Sequence, residues 1–334
     1  MQANGTIEQS QAGPAKGLVP MGGLPKRFLA IWGALAVLLV IGALFLPRSV
    51  APGTILSILP FAAFLAIASM GQALVIMVRG IDLSVPAIVT LSSTMLLGIS
   101  GGSNEHLMIA IVGALALSAL VGLANGILYS VFRLNALIVT MAVGAIVSGI
   151  TLWYRRGLPA EATVPTAISE FGSARFLGVN SLVWVTVILV VAISLVLRKT
   201  VIGRRFESVG ANPRAAYASG LEVMRYQIGA FVAAGFLYGL VGILLSAFIR
   251  NPTLEVGAPY LLAPIAAAVL GATAISGGIG SMLAVAGAAL FLTQLGQMLR
   301  MVGLDTSYQL IINGIAIALG MWLSGFWEVR ARRR

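Results

Sequence analysis

Long apolar runs, separated by short polar or glycine- and proline-containing breaks, make up most of the chain. The first run covers residues 28–46, and at 1.5 Å per residue it forms a helix of about 28 Å, enough to cross a bilayer core. Similar runs follow at about 54–78, 84–101, 107–132, 134–152, 181–197, 226–249, 260–275, 280–299 and 309–327. The pattern predicts an all-α integral membrane protein with about ten transmembrane helices, some of them interrupted.

The composition favours lipid as the solvent of these helices. Charged residues make up 9% of the chain and apolar residues 59%, whereas soluble domains carry about 25% charged residues. The 39 glycines allow membrane helices to approach closely. With no cysteine and a single histidine, His106, we expect no disulfide, no metal site and no catalytic residue, and hence no enzyme activity in this chain.

The distribution of basic residues predicts the orientation. With ten spans and a cytoplasmic N-terminus, 15 of the 21 Lys and Arg fall inside and 6 outside, which agrees with the positive-inside rule. The net charge of +11 therefore indicates basic cytoplasmic loops rather than a nucleic-acid partner. We expect a flexible cytoplasmic tail over residues 1–26, a transmembrane domain over 27–329 and a basic cytoplasmic C-terminus over 330–334.

Two longer connections divide the transmembrane domain. An outside loop covers about 155–180, and a basic inside loop covers about 198–225. Neither is large enough for an independent domain.

The source of energy for any transport is not evident in the chain. Asp82 is the nearest ionisable residue to a span, and Arg79 lies three residues before it, so an ion pair is one possible arrangement. Asp82 or Ser84 as the cap of the next helix is the other interpretation. A P-loop requires Gly-Lys-Ser/Thr, and the only Lys before Ser or Thr, Lys199, follows Arg198.

Three motifs resemble those of ribose-type ABC transporter permeases. Residues 80–84 read GIDLS, residues 210–220 read GANPRAAYASG, and residues 270–281 read LGATAISGGIGS. They occur in the family's order and their positions span most of the transmembrane domain. The chain departs from the usual pattern at four positions, Pro86, Ala272, Ala274 and Ile279.

The resemblance implies an importer-permease architecture and a set of partners. These are cytoplasmic ATPase subunits that hold ATP and Mg²⁺, a periplasmic solute-binding protein, and a second permease copy in a homodimer or heterodimer. It further implies the inner membrane of a bacterium of Gram-negative type, and a solute that is a sugar, a polyol or a related compound. No cofactor is expected in this chain. An ion-gradient-driven secondary transporter remains the alternative, and a membrane enzyme or scaffold the third possibility.

The second motif is the predicted contact with the ATPase. Pro213 suits the first position of a short helix, Asn212 its N-cap and Gly220 its end. Ala215 and Ala216 then form a small apolar face for a groove on the ATPase. An ordinary amphipathic connector is the alternative.

Buried polar residues and the glycine-marked breaks are the candidates for the translocation path. Neutral amides and hydroxyls suit an uncharged polyhydroxy solute, but the same groups also form interhelical hydrogen bonds of about 0.6–2 kcal/mol. The candidates are Gln72, Gly80, Asp82, Ser84, Asn125, Thr140, Gly277, Gly278, Gln294 and Asn313.

Overall fold

The computed structural model describes residues 26–305, 307–308, 310–312, 314–315 and 318. Its helices are α1 (Lys26–Phe45), α2 (Pro52–Met77), α3 (Val85–Ser100), α4 (Leu107–Ser130), α5 (Ala136–Arg156), α6 (Thr166–Ser173), α7 (Ser181–Lys199), α8 (Val201–Ala211), α9 (Pro213–Ala218), α10 (Val223–Ile249), α11 (Ala263–Leu270) and α12 (Met282–Met301). Short 3₁₀ turns cover Pro47–Val50 and Ala258–Tyr260. Two short strands, β1 (Arg175–Phe176) and β2 (Val179–Asn180), pair antiparallel.

The described residues confirm the predicted class of all-α membrane protein. Seven of their helices are long and apolar enough to cross a membrane, namely α1, α2, α4, α5, α7, α10 and α12. The shorter apolar helices α3 and α11 coincide with two further predicted runs. The tenth run, 309–327, lies largely outside the described residues, as do the tail 1–25 and the C-terminal segment 330–334.

The predicted run 260–275 is not one continuous helix. Helix α11 ends at Leu270, and an irregular segment leads to the start of α12. Ala272, Gly277 and Gly278 have φ values of +59°, +90° and +81°, and a left-handed residue cannot continue a right-handed helix. A second irregular segment, residues 78–84, separates α2 from α3. The two glycine-marked breaks, predicted at 80–86 and 276–281, are therefore present, and both begin earlier than predicted, at residues 78 and 271.

Helices α2 and α10 form the centre of the bundle. In the most apolar 18-residue stretch of each helix, 61% of the residues of α2 and 67% of those of α10 are buried. The same share is 22% for α1, α4 and α7, so these helices lie at the periphery of the bundle. Helix α10 packs along α4 at glycine contacts. A Cβ atom at Gly235 would lie 2.5 Å from the carbonyl oxygen of Ser118, so the two backbones meet without an intervening side chain.

The two long connections are more structured than the sequence alone indicates. Helix α6 and the strands β1 and β2 occupy the predicted outside loop, and the amide of Val164 donates to the carbonyl of Arg250, 3.0 Å away. Helices α8 and α9 occupy the predicted inside loop.

Candidate functional site

Both ends of helix α9 are fixed by local capping, as the sequence predicts. Asn212 is the N-cap, and its Oδ1 accepts from the amide of Ala215 at 3.1 Å, while Pro213 is the first helical residue. Gly220 follows the helix at φ +80°. Its amide donates to the carbonyl of Tyr217 at 2.9 Å, and the amide of Leu221 donates to the carbonyl of Ala216 at 3.0 Å. This is the Schellman pattern, which favours glycine.

The exposed face of α9 differs from the predicted one. Ala216 is only 5% exposed, because α9 rests against α8 and the start of α10, so Ala216 does not belong to an outward face. Ala215 and Ala218 are exposed, and Tyr217 is 76% exposed. Tyr217 was not among the predicted residues. It is the one large apolar side chain in this six-residue helix, and that is the signal that could have identified it.

The end of α8 meets both irregular segments at one point. We call this contact the three-way junction, formed by residues 77–79, 210–211 and 277–278. The amide of Gly278 donates to the carbonyl of Met77 at 2.8 Å. The Arg79 guanidinium donates to the carbonyl of Gly210 at 2.8 Å and to that of Ala211 at 2.5 Å.

Glycine is required for this close approach. A Cβ atom at Gly210 would overlap the carbonyl oxygen of Met77, and one at Gly278 would lie 2.6 Å from the amide nitrogen of Ala211. Gly277 and Gly278, predicted for the translocation path, therefore lie where the break before α12 meets α8. Since α9 follows α8 directly, the junction is joined to the exposed face of α9.

Arg79 ends helix α2 in a conformation that normally favours glycine. Its φ is +69°. Its amide donates to the carbonyl of Ile76 at 2.8 Å, and the amide of Gly80 donates to that of Val75 at 3.0 Å, which is again a Schellman motif. Arg79 and Asp82 do not form the ion pair that the sequence allows. The guanidinium instead donates to carbonyl groups at the end of α8.

Asp82, Ser84, Asn125 and Thr140 come together in one buried cluster. Asp82 Oδ1 accepts from the amide of Ser84 at 2.8 Å and from its hydroxyl at 2.5 Å. The Asn125 amide nitrogen donates to the Ser84 hydroxyl oxygen at 2.8 Å. Thr140 Oγ1 accepts from the amide of Leu83 at 2.9 Å. The carboxylate thus forms a turn before α3, and Ser84 takes the N-cap position without a side-chain cap bond.

Gln72 joins this cluster through the backbone of Asp82. With its amide oriented to satisfy its neighbours, its nitrogen donates to Tyr238 Oη and to the carbonyl of Asp82, both at 3.0 Å. Its oxygen accepts from the amide of Asp82 at 3.2 Å. Gly80 lies against the ring of Phe231 on α10. The segment 80–84 is therefore held by α2, α4, α5 and α10.

The cluster is a closed arrangement of polar groups. The side chains of Gln72, Asp82, Ser84, Asn125 and Thr140 are fully buried. Asp82 Oδ2 and Asn125 Oδ1 have no hydrogen-bond partner among the described residues. The cluster anchors the break through hydrogen bonds with α2, α4 and α5.

Gly277 and Gly278, at the three-way junction, do not belong to this cluster, and neither does Gln294. The Gln294 amide nitrogen donates to the carbonyl of Ser49 at 3.1 Å, in the connection between α1 and α2. That connection lies at the start of α2, whereas the cluster and the junction lie near its end. Asn313 falls outside the described residues.

Comparisons with known proteins agree with this architecture. Residues 54–320 match the model of the family described as branched-chain amino acid transport system / permease component. The chain is 32% identical over 295 residues to the ribose import permease protein RbsC of Escherichia coli (strain K12), covering 86% of this chain and 90% of that protein. It is 28% identical over 306 residues to the L-arabinose ABC transporter permease protein AraH of Azospirillum brasilense, covering 91% and 87%. It is 31% identical over 259 residues to the autoinducer 2 import system permease protein LsrC of Escherichia coli (strain K12 / DH10B), covering 77% and 74%.

Proposed function

Because the chain belongs to the family of branched-chain amino acid transport system permease components, we propose that it is the transmembrane permease subunit of an ATP-binding-cassette importer. The solute is a sugar or a sugar-like compound, since the similar proteins are named for ribose, L-arabinose and autoinducer 2. A periplasmic binding protein delivers it, and separate ATPase subunits that bind ATP and Mg²⁺ drive its transport. A second permease copy completes the membrane part.

The observation that supports this proposal is the link between α9 and the interior of the bundle. A permease driven by a separate motor needs a firm contact for that motor, and α9 is capped at both ends and presents Tyr217. From α9, the chain leads through α8 to the three-way junction. Arg79 and the Gly278–Met77 hydrogen bond then reach both irregular segments.

This geometry suggests how ATPase closure acts on the membrane helices. A displacement of α9 moves the end of α8, because only the N-cap residue separates the two helices. The junction transmits the displacement to residues 78–84 and 271–281. These segments lack a continuous helical hydrogen-bond ladder, so they are where α3, α11 and α12 can tilt at small cost. The Asp82 cluster holds the first segment in its present position.

The orientation follows from the same proposal. Helices α8 and α9 face the cytoplasm. Arg204 and Arg205 lie within α8, and Arg198 and Lys199 end α7 just before it, as the positive-inside rule favours. Both termini are then cytoplasmic in the inner membrane of a bacterium of Gram-negative type. The loop with α6 and the strands faces the periplasm and the binding protein.

The test is replacement of Tyr217 by glutamate, followed by co-purification from the native membrane in mild detergent. We expect Tyr217→Glu to insert normally and to lose the ATPase subunit, because the change places a charge on the docking face. Leu177→Glu is the control, since Leu177 is equally exposed, at 77%, on the strand connection. Equal recovery of an ATPase with both variants would contradict the proposed contact.

An ion-driven transporter is the second candidate, and one observation favours it. Asp82 is the one fully buried charged residue among the described residues, and its Oδ2 has no partner. Buried ionisable groups in membrane proteins often mark ion or proton sites. The Asp82→Asn variant described below separates the two candidates.

A further inference from the structure

A cavity of about 500 Å³ lies between α2, α11 and α12, and Ile312 of the tenth apolar run also lines it. Its volume falls within the range of about 300–1,000 Å³ that is usual for small-molecule sites. Its side chains include Ser57, Phe61, Tyr260, Thr293, Gln297 and Arg300. None of these residues belongs to the Asp82 cluster or to the three-way junction.

The cavity lies in the half of the bundle that is remote from α9. Phe61 and Leu65, which line it on α2, precede Met77 of the junction by 16 and 12 residues. At 1.5 Å per residue, these separations are about 24 and 18 Å along the helix. If α9 faces the cytoplasm, the cavity is on the side from which an importer receives its solute.

Hydrogen-bond acceptors and donors both line the cavity. The hydroxyl of Ser57 donates to the carbonyl of Thr54 at 2.7 Å, and that of Thr293 donates to the carbonyl of Ala289 at 2.8 Å. Because each hydrogen is used within its own helix, the lone pairs of these oxygens can accept bonds from a ligand. Gln297 Oε1 accepts from Arg300 at 3.0 Å, and the amide and guanidinium hydrogens are the donors.

An aromatic surface completes the lining. The Phe61 ring is 48% exposed. It makes edge contacts with Phe64 and Phe248, at centroid distances of 6.3 and 5.5 Å. These contacts restrict the ring, so its exposed part is a fixed apolar surface. A sugar has hydroxyl groups at its rim and C–H groups on its ring faces, and it matches this combination.

We propose that this cavity is the site where the permease accepts its solute, an uncharged polyhydroxy compound of monosaccharide size. The inference rests on the proposed function and moves the solute site away from the sequence-predicted cluster around Asp82. Helix α11 joins the two regions: Ala263 at its start lines the cavity, and the segment after Leu270 reaches the junction at Gly278. Movement at the junction therefore changes the cavity wall.

The first experiment measures whether the cavity is open to water on the outside. The chain contains no cysteine, so Gln297→Cys and Thr293→Cys each introduce a single label site. In right-side-out vesicles we expect both to react with a membrane-impermeant maleimide about 10-fold faster than Ile188→Cys, since the reactive thiolate forms in water and not in lipid. Ile188 is the control because it is 65% exposed on the outward flank of α7. Reaction as slow as that of Ile188→Cys, as expected if lipid or a second copy fills the cavity, would overturn the proposal.

The second experiment measures uptake of radiolabelled D-ribose and L-arabinose by cells that carry Gln297→Cys. Uptake is compared before and after labelling of the same protein, so folding is held constant, and both values are expressed relative to the unsubstituted chain. We expect labelling to reduce uptake at least several-fold, with no change for Ile188→Cys. Complete labelling without loss of uptake would overturn the cavity as the solute site and leave the importer proposal intact. Uptake of neither sugar by cells that carry the unsubstituted chain would instead contradict pentoses as the solute under the proposed function, on which the ligand class here depends.

Discussion

Arg79 shows most clearly how a single residue carries both a cost and a function. Its left-handed backbone costs about 1–2 kcal/mol for a residue with a side chain. Its guanidinium donates to two carbonyl groups at the end of α8, and hydrogen bonds of charged groups contribute about 1.5–3 kcal/mol each when buried, less where they are exposed. Because Arg79 is exposed, its two bonds contribute less than this range, and they largely offset the cost of the backbone conformation. What only the side chain supplies is the hydrogen-bonded connection between the end of α2 and the end of α8.

We therefore expect Arg79→Gly to fold with nearly unchanged stability and to lose transport per ATP hydrolysed. Glycine relieves the backbone at φ +69°, while the link to Gly210 and Ala211 disappears. Arg133→Gly is the matched control, because Arg133 also has a positive φ, +55°, and is exposed in the turn between α4 and α5. The measurement is the ratio of solute uptake to ATP hydrolysis in the reconstituted complex. An unchanged ratio for Arg79→Gly would remove Arg79 from the coupling route.

Asp82→Asn separates the two candidate sources of energy. The asparagine oxygen can still accept from the Ser84 amide and hydroxyl, and its NH₂ group replaces the unpartnered Oδ2. We expect thermal stability to be retained and ATP-driven uptake to continue. Asp82→Ala is the comparison, which we expect to lose about 1–3 kcal/mol because the buried partners of the carboxylate are left unsatisfied. Loss of uptake by a stable Asp82→Asn protein would favour the ion-driven transporter.

At the scale of elements, the sequence predicts those features that depend on neighbours along the chain. The ends of α9 are predictable because Asn212, Pro213 and Gly220 act on their own helix. The buried side of α9 is not, because it depends on α8 and α10 packing around Ala216. In the same way, polar residues within apolar runs are evident in the sequence. That Gln294 bonds to Ser49 rather than to the Asp82 cluster depends on contacts between distant segments.

Gly210→Ala tests the contact at the end of α8. The new methyl group would overlap the carbonyl oxygen of Met77, and overpacking of this kind costs about 1–3 kcal/mol. We expect a lower melting temperature in detergent and weaker coupling. Gly229→Ala on α10 is the control, because no atom lies within 4 Å of the point that an alanine Cβ would occupy there, and alanine should gain up to about 1 kcal/mol of helix stability. Equal melting temperatures for the two variants would show that the junction has room to spare.

At the scale of the whole molecule, the positions of the spans follow from the sequence and their assembly does not. Nine of the ten apolar runs coincide with helices of the described residues, and the tenth lies largely beyond them. The meeting of the two breaks with α8 depends on residues 77, 210 and 278, which are far apart in the chain. The periodicity of an apolar run carries no information about such contacts, because lipid-facing and protein-facing positions are both apolar.

The assembled bundle also predicts an orientation that single cysteines can test. We expect Tyr217→Cys to react with an impermeant maleimide only in inside-out vesicles and Leu177→Cys only in right-side-out vesicles. Both side chains are highly exposed, at 76% and 77%, so a difference in reaction reports the side of the membrane. Reaction of both from one side would contradict the arrangement of spans proposed here.

The central claim is that a separate ATPase acts on this chain through α9, and cross-linking from Tyr217 tests it most directly. A photoactivatable reagent attached to Tyr217→Cys is activated in native membranes, and the cross-linked protein is identified by mass spectrometry, with Leu177→Cys as the control. We predict a P-loop ATPase attached at position 217 and absent from position 177. Cross-links at position 217 to lipid alone, in membranes that still transport, would contradict the account.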